Sequence, residues 1–112
     1  MSPAAMLEKD WQSRVVDLAK VLGYRIAHFR PAQTARGWRT PMLGTPGWPD
    51  LVLCRPPRVI FAELKVGSAV RPEQAEWLEQ LAAAGCETYI WRGPGDWDQV
   101  VDVLRAKERP GG

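Results

Sequence analysis

Apolar residues first recur along this chain with the period of a helix. Leu7, Trp11, Val15, Leu18 and Leu22 follow one another at steps of three or four residues, which predicts a helix over 4–22 with one stripe turned to a core. Ser2 can cap it, Pro3 fits its first turn and Gly23 ends it. The period then falls to two. Residues 24–29, 50–54 and 58–65 predict strands, the last two meeting at Arg55-Pro56-Pro57-Arg58. A helical period returns over 72–84, with Pro72 at its start, Gln74, Trp77, Leu78, Leu81 and Ala82 on neighbouring faces, and Gly85 at its end. Residues 86–91 predict a fourth strand. Asp96, with Gln99 three residues later, resembles a capping box for a last helix over 97–107, striped by Trp97, Val100, Val101 and Leu104.

The order αβββαβα describes an antiparallel meander followed by a helical crossover that returns a parallel strand. The expected fold is therefore α/β, a mixed four-stranded sheet flanked by helices. With 112 residues, 46% of them apolar, the chain can build one core. A single domain over 1–112 is expected, its core at about 4–107 and its tail at 108–112 flexible. Trp11, Trp77 and Trp97 lie on helical stripes and are expected in the core, while Trp91, at a strand end, is ambiguous.

Residues 30–48 break the pattern. They hold three prolines, three glycines and three arginines and show no sustained period, so they predict a long irregular loop, of the kind that carries function. Within it Arg30, Arg36 and Arg39 suit phosphate contacts, and Trp38 and Trp48 suit stacking on unpaired bases or anchoring of the loop. His28, the single histidine, fits a nucleic-acid contact or a packed side chain better than a general base. A net charge of +2 and a pI near 8.7 permit nucleic-acid binding without arguing for it. Two cysteines are too few for a disulfide framework. No apolar run is long enough to span a membrane and no leader is evident, so the expectation is a cytoplasmic protein.

The chemistry concentrates after that loop. In 59–65, Val59, Phe61, Glu63 and Lys65 share one face and Ile60, Ala62 and Leu64 the other. A turn symmetric about Pro56-Pro57 pairs Cys54 with Val59 and Val52 with Phe61, and so sets Asp50 opposite Glu63. Opposed side chains have Cβ atoms about 4.5–5.5 Å apart, where two carboxylates repel. A divalent cation between them, Mg²⁺ or Mn²⁺, turns that repulsion into coordination. Lys65, beside Glu63, can then hold an attacking water or offset charge on a phosphate. These are the means of phosphodiester hydrolysis. A lone Glu-x-Lys more often decorates a solvated sheet; its combination with Gly47-Trp48-Pro49-Asp50 ahead of an apolar strand is far more specific.

With these motifs the chain resembles the PD-(D/E)xK nuclease superfamily, and within it the small stand-alone VRR-NUC nucleases often encoded by phages and prophages. The resemblance runs over about residues 7–104 and rests on Leu7-Glu8-Lys9-Asp10-Trp11-Gln12, Gly47-Trp48-Pro49-Asp50-Leu51, Phe61-Ala62-Glu63-Leu64-Lys65 and Arg71-Pro72-Glu73-Gln74-Ala75-Glu76-Trp77-Leu78. It implies a Mg²⁺- or Mn²⁺-dependent DNA endonuclease in which Glu8, Asp50, Glu63 and the carbonyl of Leu64 hold the metal, Lys65 is catalytic and Gln74 lies near the site. Arg71 departs from the family, which commonly has Ser or Thr as that helix cap. The resemblance further implies structure-selective cutting of branched DNA, including Holliday junctions, by a homodimer. The alternatives are a catalytically silent nucleic-acid-binding module on the same fold, or a nuclease acting on RNA or flaps.

Overall fold

The computed structural model describes residues 6–29, 32–34, 37–39 and 44–111, the two short central segments by their backbone alone. The elements are α1 (Glu8–Val21), β1 (Arg25–His28), β2 (Ala32–Thr34), β3 (Gly37–Arg39), β4 (Leu51–Arg55), β5 (Arg58–Lys65), α2 (Pro72–Ala83), β6 (Glu87–Arg92) and α3 (Trp97–Arg105). The main sheet has the order β1-β4-β5-β6, antiparallel except for the parallel β5–β6 pair, the expected mixed sheet. Two expectations change. β2 and β3 form a separate two-stranded sheet inside the stretch read as irregular. Strands of three residues are too short to display a period of two. In addition, α1 begins at Glu8: Leu7 is extended, with its carbonyl accepting the amides of Asp10 and Trp11. The predicted cap, Ser2, lies outside the described residues.

One sheet face carries the core. Leu51, Leu53, Ile60, Ala62, Leu64 and Trp91 are buried there against Trp11, Val15 and Ala19 of α1 and Val100, Val103 and Leu104 of α3. Trp91 thus belongs to the core. Trp97 is only partly buried and has the Arg14 guanidinium over its ring. Trp77 lies on the other side of the sheet, where α2 packs: Trp48 makes edge contacts with Phe29, Phe61 and Trp77, at centroid distances of 6.2, 5.7 and 4.9 Å. Trp48 therefore anchors its loop rather than presenting a stacking platform.

The N-terminal ends of β5 and β6 are tied down by a buried ion pair. Arg58 reaches both oxygens of Glu87, and also donates to Tyr24 Oη and to the carbonyls of Val103 and Ala106. Tyr89 donates to the same Glu87 carboxylate. Arg55 donates to the carbonyls of Leu22 and Ala106. These side chains satisfy the open carbonyls at the ends of α1 and α3, which otherwise lack partners. Asp96 does not cap α3 with its side chain; its Oδ2 accepts the N–H of Arg92 at 2.7 Å and so finishes β6. The tail expected to be flexible is held at Arg109, which donates to the carbonyls of Gly85 and Cys86.

Candidate active site

The β4–β5 register is the one expected from the symmetric turn, with Cys54 opposite Val59, Val52 opposite Phe61 and Leu51 opposite Ala62. One step further, Asp50 and Glu63 meet on the face that α2 covers. Asp50 is fixed on two sides: its Oδ2 accepts the N–H of Leu64 at 3.1 Å, and its carbonyl accepts the N–H of Phe29 at 2.7 Å. The loop before it is held by Gly47, at φ +101°, where an added Cβ would lie 2.4 Å from the Glu73 carbonyl oxygen at the start of α2. Only glycine tolerates both that conformation and that approach. Gly47→Ala is expected to lower stability by about 1–3 kcal/mol and to reduce whatever activity depends on Asp50. A urea midpoint equal to wild type would refute the close approach.

Glu63 is fully buried. Its Oε1 accepts from Gln74 Nε2 at 3.2 Å, and its Oε2 meets no donor among the described residues. Gln74 is oriented in turn by the Arg71 N–H, which donates to its Oε1 at 2.9 Å. That bond fixes which end of the amide faces Glu63. It is also the productive half of a capping box, since the Arg71 guanidinium, a donor only, cannot cap the helix itself. Burial pushes the Glu63 carboxyl up to about 9. Hydrogen bonding to Asp50 and the Asp50 charge add to that, Lys65 opposes it, and Glu8 adds a smaller push upward. Near neutral pH Glu63 therefore carries a proton.

The folded state holds this proton more tightly than the unfolded chain does. Its contribution to stability is complete below the ordinary carboxyl value of 4.5 and is lost as pH climbs through about 9. In EDTA, wild type is expected to lose stability across that window relative to Glu63→Gln, which carries no such proton. Parallel curves of urea midpoint against pH would contradict the proton on Glu63.

Lys65 follows on the same face, only 8% exposed, and makes no salt bridge among the described residues. Glu8, the first residue of α1, is exposed. Its helix starts at the end of the sheet where β5 and β6 finish, tied there by Trp11 Nε1 donating to the Trp91 carbonyl at 3.0 Å. Glu8 thus acts on Glu63 through space. Among the described residues no three His, Cys, Asp or Glu side chains are drawn into one cluster. The structure brings Asp50 and Glu63 together and draws no third such side chain into a cluster with them among the described residues.

The pair nevertheless fits a divalent cation. A buried carboxylate oxygen without a donor, facing a second carboxylate, needs either a proton or a cation between them. The four expected ligands would be Asp50, Glu63, Glu8 and the carbonyl of Leu64, whose own N–H is already committed to Asp50.

His28 pairs with Leu51 and shares its face, the α1 side, away from Glu63. Trp38 and Arg39 belong to β3 by their backbone. Arg30 and Arg36 lie outside the described residues. The sequence reading missed the Arg58–Glu87 pair and the place of Arg92, which stands opposite Lys65 in the parallel β5–β6 register. Period-two alternation, extended from β5 into β6, would have put Arg92 on the site face.

No protein-family model matches this chain, and no curated protein matches it significantly. Among solved structures, a VRR_NUC domain protein superposes with a TM-score of 0.65 at 23% identity, over 90% of this chain and 89% of that one. The chain therefore has the α/β fold of a VRR_NUC domain across nearly its whole length. Among the described residues no helix is long and apolar enough to cross a membrane.

Proposed function

We propose that this protein is a Mg²⁺- or Mn²⁺-dependent DNA endonuclease of the VRR-NUC kind, within the PD-(D/E)xK superfamily. The observation that carries the proposal is the buried Glu63 carboxyl, set against Asp50 and beside a buried, unbridged Lys65. A structural role would give so buried an acid a cationic partner, as Glu87 has in Arg58. When bound, the cation supplies a lowered water pKa and offsets negative charge developing on the phosphate.

This chain's own residues do the rest. Asp50 and Glu63 would hold the cation, together with Glu8 and the Leu64 carbonyl. Gln74 holds one Glu63 oxygen and leaves the other for the cation. The Lys65 ammonium holds the attacking water against the phosphate and stabilises the oxygen that becomes more negative. Glu63 would have to give up its proton to hold the cation, so cation affinity would rise with pH. We further propose branched DNA as substrate, cut by a homodimer in a cytoplasmic setting, with the arginines of 30–39 on the phosphates.

Mg²⁺ is expected to raise the melting temperature of wild type but to do so much less in Asp50→Asn. Binding to the folded state alone stabilises by about 2.7 kcal/mol at a hundredfold excess over Kd. Equal shifts in the two proteins would place the cation elsewhere.

A further inference from the structure

We infer that Arg92 is a second phosphate-binding residue of this site, taking the phosphate next to the one that is cleaved. The inference rests on the nuclease reading above and adds a residue and a strand direction to it.

Arg92 is the register partner of Lys65, one strand over and on the same face; neighbouring strands lie about 4.8 Å apart. Both residues stand at the carboxyl ends of β5 and β6, the parallel pair, and the crevice beyond such ends is where α/β sheets receive ligands. The two differ in depth. Lys65 is buried and can meet only a phosphate lodged at the acid pair, whereas Arg92 is exposed at the rim.

Arg92 is also held ready. Its N–H donates to Asp96 Oδ2 at 2.7 Å, its carbonyl accepts the Asp96 N–H at 2.9 Å, and its Nη1 donates to the Ser68 carbonyl at 3.0 Å. One guanidinium bond is thus spent on orientation, and Arg92 makes no salt bridge among the described residues. A guanidinium carries five N–H donors in a fixed fork, so most of them remain for a phosphate. Fixing the side chain in advance lowers the entropy lost on binding. Electrostatics point the same way. Lys65 and Arg92, adjacent across the parallel pair, attract a phosphate backbone along the ends of β5 and β6. The cleaved strand therefore runs from the acid pair across Lys65 toward Arg92.

The test uses the full chain and a fluorescein-labelled DNA duplex, titrated in EDTA over a range of salt, with cleavage measured separately in Mg²⁺. Arg92→Ala removes both the charge and the Ser68 bond. Arg92→Gln removes the charge but keeps an amide donor for Ser68. Both are expected to weaken binding about three- to tenfold and to reduce the slope of log K against log salt by about 0.9, one phosphate's worth of released counterions. In cleavage the loss falls mainly on KM. An Arg92→Gln protein with wild-type slope and affinity overturns the inference, and a loss confined to Arg92→Ala together with a lower melting temperature marks Arg92 as a structural tether only. Wild type that neither binds nor cuts DNA removes the nuclease reading as well, whereas wild type that cuts while both variants keep its slope removes Arg92 alone.

Discussion

Asp50→Asn, Glu63→Gln and Lys65→Ala are each expected to lower Mg²⁺-dependent cleavage of DNA by on the order of 10²–10⁴-fold while the protein stays folded. A ligand or charge that stabilises the transition state by several kcal/mol is worth about tenfold in rate for each 1.4 kcal/mol. The three side chains contribute little apolar packing, and the core lies on the other face of the sheet. In EDTA, Asp50→Asn should be as stable as wild type or more so, because it removes one of two opposed carboxyls. Gln74→Ala, which loses an orienting contact rather than a reacting group, should cost only about 10–100-fold. Cleavage assays over linear, flap, fork and four-way substrates, with circular dichroism of each variant, check this set. Near-wild-type cleavage by Asp50→Asn would remove the acid pair from the mechanism, and a preference for flaps or RNA would redirect the substrate assignment.

The largest effect on stability is expected at the far end of β5. Arg58→Leu leaves Glu87 buried without its partner and strips donors from Tyr24, Val103 and Ala106. Truncating one member of such a pair typically destabilises by about 3–5 kcal/mol, a large share of the stability of a domain this size. Replacing both members, Arg58→Leu with Glu87→Leu, should recover part of the loss, because no uncompensated charge is then buried. Urea denaturation of the single and double variants measures it. A single variant within about 1 kcal/mol of wild type would show that water reaches Glu87.

These two ends of one strand also show what the sequence could and could not disclose. The turn at Pro56-Pro57 fixed the pairing, and once Val52 opposes Phe61 the alternation of side chains leaves Asp50 and Glu63 nowhere to go but together. Helical periods likewise announced α1 and α3. Burial was not legible. Arg58, next to a proline turn, resembles any solvated arginine, and its partner Glu87 lies 29 residues away on a strand that only the crossover brings alongside. Asp96 carried a helix-cap signature, yet the Arg92 amide at the end of β6 competes for the same carboxylate and wins it. Trp48 and Trp77 have no shared period; their contact depends on α2 folding back over the sheet. Glu8 was legible as a member of a motif, but its exposure at the start of α1 was not.

The carbonyls that receive Arg58 have a consequence for synthesis of the chain. Val103 and Ala106 follow Arg58 by 45 and 48 residues. As the polypeptide leaves the ribosome, the β4–β5 hairpin emerges well before these acceptors and before Glu87. Until they arrive, the guanidinium has no reason to leave water, and the hairpin that bears Asp50 and Glu63 cannot settle against its neighbours. α3 is thus the clasp that closes this core, and the reactive pair settles only once α3 has been made.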